Sequence, residues 1–146
     1  MKPVAQLVDS PENGDCFRAC VASILELDPH ALPNVGDPAV RGGRYFISVM
    51  NEALAPWNMQ LMYTANEQCY WEMPVFIWSI RSPKYEGKTH AVVVTCDFKR
   101  EKPWQVAWDP SPYRDEPGRE AFYAKPVAAY FFVVVDPRAL VQREAQ

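Results

Sequence analysis

Three side chains of the sequence, those of Cys16, His90 and Asp109, could together supply a nucleophile, a base and a group that orients the base. Cys16 follows the turn sequence NGD and opens an apolar run that predicts a helix. A cysteine is nucleophilic only as the thiolate, and the unpaired N–H groups and dipole of a helix N-terminus favour that form. Because a buried cysteine is more often a small packing residue, its position alone makes Cys16 a candidate and no more.

His90 and Asp109 lie in two segments that are typical of the strands of one hairpin, HAVVVTCDF and WQVAWDP, with the polar stretch KREKP between them. A regular turn centred between Lys99 and Arg100 would place His90 directly opposite Asp109. Opposite residues have Cβ atoms about 4.5–5.5 Å apart, so the carboxylate could hold one imidazole nitrogen and leave the other facing the sulfur. The structural alternative is a surface histidine beside an aspartate that merely opens the next turn.

Two helices are predicted in the first part of the chain. The first covers residues 16–27, with Asp15 as its N-cap and the dipeptide DP at 28–29 as its stop. It is apolar around most of its circumference, which indicates a buried helix. The second helix covers residues 44–55, where apolar residues recur at helical spacing.

After residue 58 the pattern changes to short segments rich in β-branched and aromatic residues, which predict strands. The predicted strands cover residues 59–64, 74–80, 90–96, 105–108 and 129–135. Helices followed by strands indicate an α+β fold with an antiparallel sheet packed against the first helix. The run YFFVVV is apolar on both faces and is expected inside the sheet. A length of 146 residues fits one domain, 1–146.

The charge of the chain argues against nucleic acid and anionic membranes as partners. The formal net charge is −3 and the pI is about 5.4, and the lysines and arginines form no basic stripe. No segment approaches membrane-spanning length and the N-terminus lacks the apolar run of a signal peptide, so a cytoplasmic protein is expected. Its four cysteines are then expected to be free thiols. The oligomeric state stays open.

Three motif regions resemble the papain-like cysteine peptidase superfamily, and within it the small bacterial and phage-type members akin to bacteriocin-processing peptidases. They are NGDCFRAC at 13–20, HAVV at 90–93 and WDP at 108–110. The resemblance implies a papain-like fold, in which the cysteine opens a central helix and the histidine and acid come from adjacent strands. It also implies that Gln6 donates a side-chain N–H to the oxyanion. Gln6 lies ten residues before the cysteine, farther than in better-known members, and Asn13 is the alternative donor.

These features together indicate thiol-based acyl transfer on a protein or peptide substrate. The bond could be a peptide, an isopeptide or another amide, and the acceptor need not be water, so a transamidase or amidase stays open. A catalytically silent papain-like domain that binds a protein partner is the alternative from another class.

Three aromatic residues, Tyr70, Trp71 and Tyr113, are candidates for lining a substrate groove. Cys16 and Cys20 share a helix face, but a CxxxC pair without matched histidines is a weak metal signal, since zinc sites usually gather four ligands. We therefore expect Cys20 to be a packing residue and the site to need no metal and no cofactor.

Overall fold

The computed structural model describes residues 1–65, 69–70 and 72–135, and it shows helices packed on an antiparallel sheet. The helices are α1 (Cys16–Leu25), α2 (Pro38–Arg41), α3 (Phe46–Leu54) and α4 (Arg119–Tyr123), with 3₁₀ turns at Pro29–Ala31 and Ala55–Trp57. The strands are β1 (Met59–Ala65), β2 (Val75–Arg81), β3 (Thr89–Cys96), β4 (Trp104–Trp108) and β5 (Pro126–Val134). In the sheet they follow the order β1-β5-β2-β3-β4. The predicted α+β class is confirmed.

The sheet buries a different set of apolar side chains on each face, because successive residues of a strand point to opposite sides. Ile77 and Val93 pack with residues of α1 and α3 on one face. Phe76 and Val94 belong to a second cluster on the other face, against which Phe122 of α4 packs. A fully buried side chain of this size contributes about 1.5–3 kcal/mol. Strands β2 and β3 are therefore held from both sides, which fixes the start of β3.

Helix α1 is the buried helix that its sequence predicts. Val21 and Ala22 in its second half have no exposed surface. The helix ends where Glu26 adopts a left-handed backbone with φ of 56° and donates its N–H to the Ala22 carbonyl. Among the helices of the described residues, none is long and apolar enough to cross a membrane.

Most predicted element positions are confirmed to within one or two residues. The fifth strand starts earlier than predicted, at Pro126, and lies between β1 and β2, so the YFFVVV run is inside the sheet as expected. Two short helices, α2 and α4, were not predicted. Each has four or five residues, too few for a recurring apolar face to be visible in sequence.

The predicted register of the β3–β4 hairpin is wrong. Cys96 pairs with Trp104 and Val94 with Val106, but Val93 pairs with Trp108. One extra residue of β4 is therefore bulged out at this step, and β4 ends before Asp109. His90 and Asp109 are consequently not cross-strand partners, and the acid lies on the segment that leaves the sheet.

Candidate active site

A cleft of about 360 Å³ opens where the N-terminus of α1 meets the start of β3. Cys16 and His90 both line this cleft, together with Ser111 and Arg119 from the segment that follows β4. Gln6 of the N-terminal segment lines it as well. The fold thus brings the N-terminal segment, the start of α1, the start of β3 and the segment after β4 to one place.

His90 and Asp109 form a buried hydrogen-bonded pair. Nε2 of His90 lies 2.6 Å from Oδ1 of Asp109, and the two residues are only 8% and 4% exposed. Asp109 is the first residue after β4, and its carboxylate reaches the His90 ring from there. The contact therefore forms although the predicted register is wrong. Because Nε2 is engaged by the carboxylate, Nδ1 is the ring nitrogen left for Cys16.

The Cys16 sulfur lies against the first residues of β3. Ala91 donates its backbone N–H to Sγ at 3.4 Å, and His90, which directly precedes Ala91, lines the same cleft as Cys16. Burial lowers the pKa of His90, but the hydrogen bonds and charges of Asp109 and Cys16 outweigh it and raise that pKa to about 9. The imidazolium is therefore favoured at neutral pH, which is the form that pairs with a thiolate.

Asp109 receives hydrogen bonds on both carboxylate oxygens. Besides His90, Oδ1 accepts the backbone N–H of Ser111 at 2.9 Å. Oδ2 accepts Nε and Nη2 of Arg119 at 2.9 and 2.6 Å and the hydroxyl of Tyr123 at 2.6 Å. Burial alone would raise the pKa of this carboxyl group, but the hydrogen bond and charge of His90, followed by the bonds from Tyr123 and Ser111, hold it well below its usual range. Burial and the bond to Asp109 raise the pKa of Tyr123 to about 12, so the phenol keeps its proton and donates it.

Asp15 occupies the N-cap position of α1, as predicted, but the predicted bond from its side chain to a helix amide is absent. Its Oδ1 accepts the backbone N–H groups of Leu7 and Val8 at 2.9 and 2.8 Å, and its Oδ2 lies 2.7 Å from Nη2 of Arg18. Two amides and a guanidinium hold this buried carboxylate more strongly than a single helix amide could. The side chain therefore makes no cap bond to α1, and the first-turn N–H groups beside Cys16 stay open to a ligand.

Gln6 lies in the cleft, but its amide is already engaged locally. Its Nε2 donates to the Val8 carbonyl at 2.9 Å, and its backbone N–H donates to Pro110, directly after the acid, at 2.9 Å. Its Oε1 is buried and finds no hydrogen-bond partner in the described part of the chain. An amide nitrogen carries two N–H groups, so one stays available after the bond to Val8. The position agrees with the implied role of oxyanion donor, and the local bond limits how far the group can move.

The three aromatic residues that were predicted to contact substrate have different positions relative to the cleft. Tyr70 packs edge-on against Trp78 at 5.6 Å, lies in another groove and does not line the cleft, so the structure does not bring it together with Cys16 and His90. Trp78 belongs to the cluster on the face away from α1, which is the physical reason. Trp71 lies outside the described residues. Tyr113 does not line the cleft itself but supports its rim, because the ammonium of Lys84, which does line it, lies 3.9 Å from the Tyr113 ring.

All four cysteines remain thiols, as predicted. Burial, followed by the charges of Cys16 and Asp109, raises the pKa of Cys20 well above its ordinary value. Burial also raises the pKa of Cys69 and that of Cys96. These three thiols are consequently poor nucleophiles at neutral pH.

Sequence reasoning did not identify Arg119 and Tyr123. They lie on α4, which starts after Gly118 in a left-handed conformation with φ of 88°. A buried arginine cannot be told from a surface arginine without knowing its partner, and the partner of Arg119 is ten residues away across a turn. An arginine and a tyrosine four residues apart share a helix face, and this spacing was the one available signal.

Comparisons of the chain with protein-family models, with curated proteins and with solved structures gave no match.

Proposed function

We propose that the chain is a thiol-dependent hydrolase on a papain-like scaffold, which cleaves a peptide, isopeptide or other amide bond of a protein or peptide substrate. The observation that carries this proposal is the buried 2.6 Å contact between His90 and Asp109 beside a helix that begins with Cys16. The structural alternative, a surface histidine beside an aspartate that opens a turn, does not account for the burial of both residues. It also does not account for the buried arginine that binds the same carboxylate.

In the first half of the proposed reaction, the Cys16 thiolate attacks the carbonyl carbon of the amide. A C–S bond forms while the carbonyl π electrons move onto oxygen. His90 then gives its Nδ1 proton to the leaving nitrogen as the C–N bond breaks, so an amine departs and a thioester stays on Cys16. Asp109 keeps Nε2 throughout and stabilises the positive ring.

In the second half, neutral His90 takes a proton from water as the water oxygen attacks the thioester. The C–S bond breaks, the carboxylic acid leaves, and the thiolate and imidazolium are restored together. If an amine instead of water attacks at this point, the same residues carry out transamidation.

The oxyanion of both tetrahedral intermediates needs donors close to the sulfur. The backbone N–H of Cys16 is one candidate, because Asp15 leaves the first turn of α1 without a side-chain cap. The second N–H of the Gln6 amide is the other, since Gln6 lines the same cleft. Loss of one such donor costs on the order of 10²–10³ in rate where it has been measured in other enzymes.

The proposal is tested by labelling the protein with a peptide vinyl sulfone and mapping the adduct by mass spectrometry. Cys16 should carry the label, and the label should disappear in Cys16→Ala and fall strongly in His90→Ala. Cys96→Ala is the matched control, because Cys96 is also a partly exposed thiol, and it should label like the parent. Labelling that is spread over the cysteines and does not respond to His90→Ala would refute the hydrolase and favour the silent binding domain.

A further inference from the structure

The buried groups of the proposed site form a row of alternating charge. Cys16 as thiolate, His90 as imidazolium and Asp109 as carboxylate would together leave one net negative charge in a buried place. Uncompensated buried charge is costly. Arg119 continues the row with a positive charge, and it is only 4% exposed. Its Nε and Nη2 both bind Oδ2 of Asp109, the oxygen that His90 does not use.

We propose that Arg119 is a positioning residue that sets the proton affinity of His90 by acting through Asp109, with the Tyr123 hydroxyl as a second donor to the same oxygen. The catalytic meaning of this role rests on the proposed function. The proton affinity itself is a property of the protein and can be measured without any substrate.

Arg119 has two physical effects on His90, which act in opposite senses: its bonds orient the carboxylate and so favour the imidazolium, while its positive charge disfavours the imidazolium and, at this short range, is the larger effect. Bonds to Oδ2 from Arg119 and Tyr123 fix the plane of the carboxylate, so that Oδ1 meets Nε2 of His90 at 2.6 Å. The guanidinium also draws negative charge away from Oδ1 and so weakens the hold of the acid on the imidazolium. A general acid works best when its pKa lies close to the working pH. Without Arg119, the Asp109 carboxylate would stabilise the His90 imidazolium so strongly that its proton could not be transferred readily to a leaving nitrogen.

Other titratable groups face the same site and must be separated from Arg119. Cys16 and Cys20 of α1 approach from the helix side, and α4 supplies Arg119 and Tyr123. Arg114, between β4 and α4, donates its Nε to the backbone carbonyl of Asp109 at 2.8 Å. The rim of the cleft adds charged residues, namely Asp9, Glu12, Arg41, Lys84 and Lys88. Water and salt screen groups at an open rim. Among the described residues Arg119 is the cation whose nitrogens contact Asp109 Oδ2, which makes it the group to change.

The test is an NMR titration of the His90 ring in a His30→Gln background. The chain has two histidines, so this exposed substitution leaves one imidazole to follow. Arg119→Gln should increase the proton affinity of His90 on the order of tenfold, as expected for removing a unit charge a few ångströms beyond the carboxylate. Arg119→Lys loses one of the two bonds to Oδ2 but keeps the positive charge, so the proton affinity of His90 should stay within about twofold of the parent. Tyr123→Phe should shift the titration in the same direction by a smaller amount.

An unchanged or lower proton affinity in a folded Arg119→Gln protein would overturn the proposal and reduce Arg119 to an anchor for α4. If Arg119→Gln does not fold, Tyr123→Phe is the deciding variant. A higher proton affinity of His90 in Tyr123→Phe supports the proposal, and an unchanged affinity overturns it. The outcome is separate from that of the hydrolase. If Cys16 is not labelled, the proposed enzyme is refuted, and the titration of His90 still tests Arg119. If the titration of His90 does not change in Arg119→Gln, the role of Arg119 is refuted and the proposed enzyme is not.

Discussion

The backbone N–H of Ala91 points at the Cys16 sulfur across 3.4 Å, although 75 positions of the chain separate the two residues. The donor belongs to β3, which is buried on both faces of the sheet, so the sulfur lies against rigid backbone. The Cys16 sulfur therefore accepts an N–H from the strand that begins beside His90, and it lies at the first residue of α1.

Cys16 should react with iodoacetamide at neutral pH at least about tenfold faster than Cys20, Cys69 or Cys96. Burial raises the pKa of each of the other three thiols, and alkylation requires the thiolate. The measurement is the rate constant at each cysteine between pH 5 and 9, obtained by quantitative peptide mapping. In urea the four rates should converge, which controls for local sequence. Equal rates in the folded protein would remove Cys16 as the nucleophile.

The elements of the fold could be predicted from sequence, because β-branched runs and apolar periodicity act locally. The contact of His90 with Asp109 was predicted for a wrong reason. The pairing of Cys96 with Trp104 is already one residue away from the predicted register, and the bulge between Val93 and Val94 shifts it by one more. Hairpin arithmetic cannot detect a bulge. Arg119 binds the acid from a short helix that lacks a sequence pattern of its own. Its role depends on a tertiary contact, which local propensity does not encode.

Asp109→Asn should lower the free energy of unfolding by about 3 kcal/mol or more, because Arg119 would then be buried without its carboxylate. The rate of Cys16 labelling should fall as well, though less than in His90→Ala, since the imidazole remains and loses only its orientation. Urea unfolding at pH 7 gives the stability. Asp97→Asn is the matched control, because its ion pair with Arg100 is exposed, and it should change stability by less than about 0.5 kcal/mol.

The free energy of unfolding should fall as the pH rises from 6.5 to about 9, because His90 loses its proton over this range. Its pKa is raised from 6.5 to about 9 in the folded state, so the stabilisation is fully present below 6.5 and is lost as the pH passes through 9. The total is roughly 3 kcal/mol. Urea unfolding between pH 6 and 9.5 should show this decline in the parent and in His30→Gln, and a flatter curve in His90→Gln. A parent whose stability is level across this range would contradict the raised pKa.

Gln6→Ala should slow turnover or labelling by a peptide electrophile on the order of 10²-fold if its amide binds the oxyanion. The fold should persist, because the Nε2 bond to Val8 is local and the backbone bond to Pro110 does not need the side chain. Asn13→Ala tests the alternative donor in the same assay. A strong effect of Asn13→Ala with none from Gln6→Ala would move the oxyanion role to Asn13.

Gly36→Ala should disturb the site from a distance, through the loop that leads into Cys16. A Cβ at Gly36 would overlap the Gly14 carbonyl oxygen, so the two backbones must move apart. Asn34 also holds this loop by a 2.9 Å bond from Nδ2 to the Asn13 carbonyl, which leaves little room for the shift.

Since Gly14 precedes Cys16 by two residues, Gly36→Ala should lower both the stability and the rate of Cys16 labelling. Gly43→Ala is the control for stability alone. Its Cβ would meet open space, but φ there is +79°, so an alanine is strained by about 1–2 kcal/mol. A Gly36→Ala protein that loses stability like Gly43→Ala and yet labels at the parent rate would show that the loop does not position the nucleophile.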